Sequence, residues 1–151
     1  MPEIVETVRL PASADTVWRA VGPFGAVGNW HPMVAKVATE NERENCVRRA
    51  EGRDGSIQIE RLLEAAPEQH FYRYRIESTR MPVRNYVGRF SVGDNGDGTS
   101  TVVWSVNFEV TSNDEAAIVG KIRAFLRAGL DNLERPASAN GFELNRSHLR
   151  R

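Results

Sequence analysis

Neighbouring charges on two strands are the first candidate chemistry in this chain. Residues 46–65, CVRRAEGRDGSIQIERLLEA, have the pattern of two strands joined by a turn at GRDG. Arg48 and Arg49 are adjacent on the first strand, as are Glu60 and Arg61 on the second. Because adjacent side chains of a strand point to opposite faces, either phase of this hairpin brings a charge to the inner face.

The two phases place different charges inside. We prefer the phase in which Glu60 faces inward with Arg49 as its near partner, while Arg48 and Arg61 form an outer, solvated pair. The opposite phase, with Arg48 and Arg61 inward, stays open. A lone buried charge is costly, so an inward charge requires an opposite partner or a wet cavity.

An inward Glu60 has two interpretations. As a proton shuttle in an apolar cavity, it would serve ring closure by aldol chemistry and the dehydration that follows, with Arg49 holding a carboxylate or phenolate of the ligand. Alternatively, Arg49 and Glu60 form a structural ion pair at the end of the sheet.

Aromatic residues share one face of the later strands. The alternation predicts that Tyr72, Tyr74, Tyr86, Trp104 and Phe108 all point to the concave side. The hydroxyl of a buried tyrosine needs a hydrogen-bond partner, so we predict a ligand-binding wall that is apolar in body and polar at selected points.

Three further residues are candidates for contacts with a ligand. His31, in NWHP, is expected at the cavity mouth, where it would titrate near neutral pH; a structural role, with Trp30 covering the core edge, is the favoured alternative. Gly129 interrupts the apolar stripe of the last helix, which leaves room for a ligand or for a close approach of the sheet. The three histidines lack metal-ligand spacing and Cys46 is the single cysteine, so neither a metal site nor a disulfide is expected.

These candidates lie on a simple series of elements. The sequence predicts an α+β fold. Its elements are one strand, two short helical segments, six more strands joined mostly by short connections, and a helix over 113–134 that ends before Pro136. The seven strands form an antiparallel meander that curls around the long helix. A curled sheet and one helix seldom meet along their whole length, so we expect a cavity between them.

Composition limits the functions that fit. The 20 basic and 20 acidic residues cancel, so no net charge recruits nucleic acid or an anionic membrane. No segment has the length of a signal peptide's apolar region or of a membrane span, which predicts a cytoplasmic protein. We expect one domain over residues 1–135, a mobile tail over residues 136–151, no cofactor, and a monomer or homodimer.

Several segments together resemble a known superfamily. The resemblance covers about residues 3–135 and rests on LPASADTVWRAVGPFGAVGNWHP, VRRAEGRDGSIQIERLLE, YRYRIESTRMPVRNYVG, GDGTSTVVWSV and the helix end AGLDNLER. In pattern and order they resemble the START-related, polyketide cyclase/dehydrase-like (SRPBCC-type) superfamily, in particular a small bacterial branch. The resemblance implies the helix-grip fold, with a deep cavity for an apolar small molecule between the sheet and the C-terminal helix.

Three functions follow as hypotheses. The first is binding of an apolar or aromatic, lipid-like or polyketide-like molecule in that cavity. The second is a cyclase/dehydrase-type enzyme that uses Glu60 as proton shuttle. The third is an interaction module whose cavity is vestigial and filled by large side chains.

Overall fold

The structure, a computed structural model, describes residues 1–41 and 44–138, with side chains through Arg135. Two short helices follow the first strand, and one long helix closes the described chain. The strands are β1 (Glu3–Leu10), β2 (Val34–Glu40), β3 (Val47–Gly52), β4 (Ile57–Ala66), β5 (Phe71–Ser78), β6 (Val83–Asp94) and β7 (Ser100–Val110). The helices are α1 (Ala14–Val21), α2 (Val27–Trp30) and α3 (Glu115–Ser138), and short 3-10 helices cover Phe24–Ala26 and Pro67–Gln69.

All seven strands belong to one antiparallel sheet. Their order is β1-β7-β6-β5-β4-β3-β2, so every neighbour in sequence is a neighbour in the sheet except β1, which pairs with β7. The long helix α3 packs mainly on β1, and α1 lies against β6 and β7. The predicted α+β architecture is therefore confirmed.

The core forms on one face of the sheet because apolar side chains alternate along β6 and β7. In β7 the residues at every second position from Ser100 to Phe108 are buried. Helix α3 contributes residues at helical spacing from its middle and its second half, namely Ile122, Leu126, Leu130 and Leu133. This packing anchors the second half of α3 firmly and leaves its first turns more exposed.

A side-chain cap positions α1. The hydroxyl of Ser13 accepts a hydrogen bond from the backbone N–H of Thr16 at 3.2 Å, which satisfies one free donor of the first turn. Gly22 follows the helix, and a Cβ at this position would overlap the ring of Trp18. The missing side chain therefore lets the indole lie flat over the end of α1.

The end of α3 differs from the prediction. The helix continues through Pro136 to Ser138, whereas Pro136 was expected to stop it. Pro136 removes only the backbone hydrogen bond to the carbonyl of Asn132, and this loss is confined to the last turns of the helix. Most of the predicted tail, residues 139–151, lies outside the described residues, so its mobility and the domain boundary after residue 135 stay predictions.

Candidate functional site

The buried ion pair joins Glu60 to Arg48 and not to Arg49. In the β3–β4 ladder, Arg48 lies opposite Glu60 and Arg49 lies opposite Ile59. The side chains of Arg48 and Glu60 are 2% and 8% exposed, whereas that of Arg49 is 51% exposed and lies near Glu51. Glu60 thus faces inward as predicted, but the prediction of an inward Arg49 beside it is wrong.

A difference in the turn explains the error. The connection closes between Gly52 and Ser56, whose backbone N–H and carbonyl are 2.9 Å apart, and Gly55 adopts a positive φ of 85°. The turn therefore spans residues 53–55, as in a three-residue hairpin loop, and not the four residues GRDG. A shift of one residue in register brings Arg48 opposite Glu60 and sends Arg49 to the solvent face.

Aromatic rings enclose the guanidinium of Arg48. Its Nε donates to Oε1 of Glu60 at 2.5 Å, and its Nη1 donates to the carbonyl of Phe24 at 2.8 Å and to the hydroxyl of Tyr72 at 3.2 Å. The guanidinium carbon lies 4.1 Å from the centre of the Phe24 ring and 5.0 Å from that of Tyr74. Burial by itself would lower the pKa of Arg48, but the Glu60 carboxylate and the hydrogen bond to Tyr72 outweigh it and raise that pKa above its usual range.

The second oxygen of Glu60 is also bonded. Nε2 of Gln58 donates to Oε2 at 2.7 Å, and the hydroxyl of Thr79 donates to Oε1 of Gln58 at 2.9 Å. Each carboxylate oxygen therefore accepts a hydrogen bond, one of them from a permanent cation. This arrangement suits a carboxylate that holds β3 and β4 together better than one that exchanges protons with a substrate.

The five predicted wall aromatics face the interior, as the strand pattern indicated. Tyr72, Tyr74, Tyr86, Trp104 and Phe108 are all buried. Nε1 of Trp104 donates to the hydroxyl of Tyr74 at 3.0 Å, and the rings of Tyr86 and Phe108 stack with centres 5.5 Å apart. Burial raises the pKa of all three tyrosines, so their hydroxyls are neutral at physiological pH.

His31 lies in the interior and joins α2 to α3. Its Nε2 donates to the carbonyl of Phe125 at 2.8 Å, and its Nδ1 accepts the backbone N–H of Met33 at 3.1 Å. These two bonds define a neutral tautomer, and burial lowers the pKa of His31 to about 4, although the bond to Phe125 acts in the opposite direction. The residue was expected at a cavity mouth, but its side chain is 2% exposed.

Gly129 accommodates this histidine. A Cβ at position 129 would lie 2.5 Å from Cδ2 of His31 and 3.0 Å from Cζ3 of Trp30. The space beside Gly129 is therefore occupied by side chains of the α2 region. Trp30 also accepts a hydrogen bond on its carbonyl from Asn132 at 2.8 Å, so this segment is tied to α3 at several points.

A pocket of about 400 Å³ lies between the α1 segment and strands β4 and β5. It is lined by Trp18, Arg19, Gly22, Pro23, Phe24, Leu62, Ala65, Pro67 and Tyr72. Tyr72 is the one lining residue that the sequence singled out as ligand-binding. The amphipathic pattern of α1, with an aromatic residue one turn before Gly22-Pro23, could have identified Trp18 as a lining residue. No local pattern could have identified the lining residues of β4.

A set of apolar side chains that pack against the core is only partly buried. They come from the ends of β5 and β7, the start of β6, the turn before it and the first turns of α3: Ile76, Met81, Val83, Val110, Ile118 and Val119. Ile76 lies opposite Glu60 in the β4–β5 ladder, so this region borders the buried polar cluster.

The part of the chain that the structure describes contains neither a metal site nor a membrane-spanning helix by the following criteria. Within residues 1–41 and 44–138, no group of three or more His, Cys, Asp or Glu side chains is arranged to hold a metal ion. No helix within these same residues is both long and apolar enough to cross a membrane.

A curved antiparallel sheet closed on a long C-terminal helix, with two short helices after the first strand, defines a helix-grip protein. The chain belongs to the family described as polyketide cyclase/dehydrase and lipid transport, which matches residues 1–137. No curated protein matches the sequence.

Solved structures agree with this fold. XoxI from Bacillus cereus is 24% identical, with a TM-score of 0.86 over 91% of this chain and 96% of that one. The Zhui aromatase/cyclase from a Streptomyces species is 17% identical, with a TM-score of 0.75 over 91% and 93% of the two chains. A START superfamily protein from Mycobacterium smegmatis is 19% identical, with a TM-score of 0.72 over 91% and 97%. At these identities, the likeness establishes the fold.

Proposed function

We propose that the protein binds an apolar or aromatic small molecule, lipid-like or polyketide-like, between the sheet and the first half of α3. The observation that carries this proposal is the set of half-buried apolar side chains in that region, including Ile76, Val110 and Ile118. They lie beside the buried Arg48–Glu60 ion pair on the same concave face. An apolar wall with a few fixed polar groups is the usual make-up of a small-molecule site.

Incomplete burial gives such a ligand its binding energy. Each Å² of apolar surface removed from water contributes about 25 cal/mol, and the side chains around Ile118 still have surface to cover. The second half of α3 is held by its packing and by His31, so the first half would form the adjustable side of the site. The hydroxyl of Tyr86 is neutral and is hydrogen-bonded to Tyr74, so in this proposal it would orient a ligand oxygen as a member of that pair.

Binding is favoured over catalysis by the pairing of Glu60. A proton shuttle would have to give up its hydrogen bonds to Arg48 and Gln58 before it could reach a substrate. The family description supports a polyketide-like or lipid-like ligand class, and the comparison with an aromatase/cyclase supports the fold. An interaction module with a filled cavity is the outcome expected if no small molecule binds.

Native mass spectrometry of freshly purified protein tests for a co-purified molecule. A titration with methyl cis-parinarate, an uncharged aliphatic polyene that fluoresces in apolar surroundings, measures affinity in the same preparation. Ile118→Phe fills the space under α3, whereas Ala117→Phe adds a ring at the exposed neighbouring position. We expect about tenfold weaker dye binding for Ile118→Phe and no change for Ala117→Phe. Equal affinities for the two variants, together with no co-purified molecule, would refute the proposal.

A further inference from the structure

We propose a second small-molecule site, separate from the one under α3, in the pocket between α1 and strands β4 and β5. The chemical class that fits it is a flat, uncharged aromatic molecule. The volume of about 400 Å³ lies within the range of small-molecule sites, and none of the lining residues that the structure describes comes from α3.

Three aromatic rings define the shape of the site. The rings of Phe24 and Tyr72 meet edge to face, with centres 5.3 Å apart, and the ring centre of Trp18 is 6.3 Å from that of Tyr72. Because these rings already pack against one another, a flat molecule would lie against the surface that they share, in the stacked or edge-on contacts that aromatic groups prefer. Aliphatic side chains, among them Leu62 and Ala65, complete the wall.

Charge argues against an ionic ligand. Among the described residues that line the pocket, Arg19 supplies the only charged side chain, and it is 60% exposed and already bonded to Asp15 at 3.1 Å. An ionised group placed deeper in the pocket would lose its water without gaining an opposite charge there.

The walls are held in place before any ligand arrives. The guanidinium of Arg48 lies over the Phe24 ring, donates to the Phe24 carbonyl and also donates to the hydroxyl of Tyr72. On the other side, the absence of a side chain at Gly22 allows the Trp18 indole to pack closely against the backbone. A preformed site spends little of its binding energy on ordering its own side chains.

The same arrangement separates this pocket from the site under α3. Phe24 and Tyr72 face the pocket on one side and contact Arg48 on the other, and Glu60 lies beyond Arg48. A molecule in the pocket therefore stands behind the ion pair, out of contact with the α3 site. Occupation of the two sites can be measured independently.

The test uses the three tryptophans as reporters. Each has one indole N–H, which gives one cross-peak in a nitrogen–proton correlation spectrum of the labelled full-length protein, and Trp→Phe variants assign them. Trp18 lines the pocket, whereas Trp30 and Trp104 are buried elsewhere in the core. Titration with 2-naphthol should shift the Trp18 peak with saturation and leave the Trp30 and Trp104 peaks in place.

A matched pair of variants completes the test. Ala65→Phe places a ring in the pocket from an exposed strand position, and Leu63→Phe adds a ring two residues away, outside the lining. We expect Ala65→Phe to weaken 2-naphthol binding by about tenfold or more and Leu63→Phe to leave it unchanged. If Ala65→Phe perturbs the Trp30 and Trp104 peaks of the free protein, Leu62→Phe takes its place. An unshifted Trp18 peak, or equal affinity in the filled and control variants, would overturn the proposal, whatever the result for the α3 site.

Discussion

The buried, neutral His31 predicts an acid-sensitive contact between α2 and α3. Its Nδ1 accepts a hydrogen bond from the backbone N–H of Met33. If Nδ1 were protonated, two N–H donors would face each other with no acceptor between them. Its Nε2 already donates to Phe125, and the ring centres of His31 and Phe125 are 4.0 Å apart. Protonation therefore cannot be accommodated without breaking this contact or admitting water.

The size of the effect follows from the two pKa values of His31. In the folded protein the pKa is lowered to about 4, while the unfolded chain keeps the ordinary value of 6.5. Because the unfolded state binds a proton first as the pH falls, the contribution of His31 to stability is fully present above pH 6.5 and is lost between pH 6.5 and about 4. At about 1.4 kcal/mol per pH unit, the loss amounts to about 3 kcal/mol in the free energy of unfolding.

Urea unfolding followed by tryptophan fluorescence at several pH values measures this loss. The variant His31→Gln cannot titrate in this range but keeps an amide that can donate and an oxygen that can accept. We expect it to be less stable than the wild type near neutral pH and to lose about 2 to 3 kcal/mol less on going to about pH 4.5. The difference between the two proteins removes the contribution of the carboxylates, which titrate in both.

A direct titration of the imidazole resonance supplies the second measurement. If His31 titrates near 6.5 in the folded protein, or if both proteins lose the same stability over this pH range, the reasoning from its hydrogen bonds is refuted.

The ion pair and the glycines of α3 carry two further predictions. Glu60→Gln leaves Arg48 buried without its counter-ion and should lower the free energy of unfolding by about 3 kcal/mol or more, whereas a small loss with weaker ligand binding would indicate a ligand-holding role. Gly129→Ala should cost about 1 to 3 kcal/mol because its methyl group overlaps His31, while Gly120→Ala, which has open space around it, should gain up to about 1 kcal/mol from helix propensity. Urea unfolding checks both, and a stabilising Gly129→Ala would contradict the described contact.

The sequence by itself determined the order of the elements and the inward faces of β5, β6 and β7. Alternation along β5, β6 and β7 decides which side chains share a face, so the inward direction of Tyr72, Tyr74, Tyr86, Trp104 and Phe108 could be read without a structure. This works because the two-residue period of a strand is a local property. The two short helices and α3 were predictable from signals that are equally local, namely the spacing of apolar residues and the residues that begin and end a helix.

The partners within the site were decided only by the tertiary structure. The turn after β3 has one residue fewer than its sequence suggested. The register of β3 and β4 therefore differs by one residue, and Arg48, not Arg49, lies opposite Glu60. Charges at adjacent positions fit either face equally well, so the pattern held no information that distinguishes the two registers.

Contacts between residues far apart in the sequence could not be predicted from local patterns either. Gly129 accommodates His31, and Trp18 meets Leu62 across a pocket, only because the folded sheet brings helices and strands far apart in the chain together. A local pattern records which face of an element is apolar, but it does not record which face of another element will cover it. That choice depends on how the whole sheet curls, and it is made when the core packs.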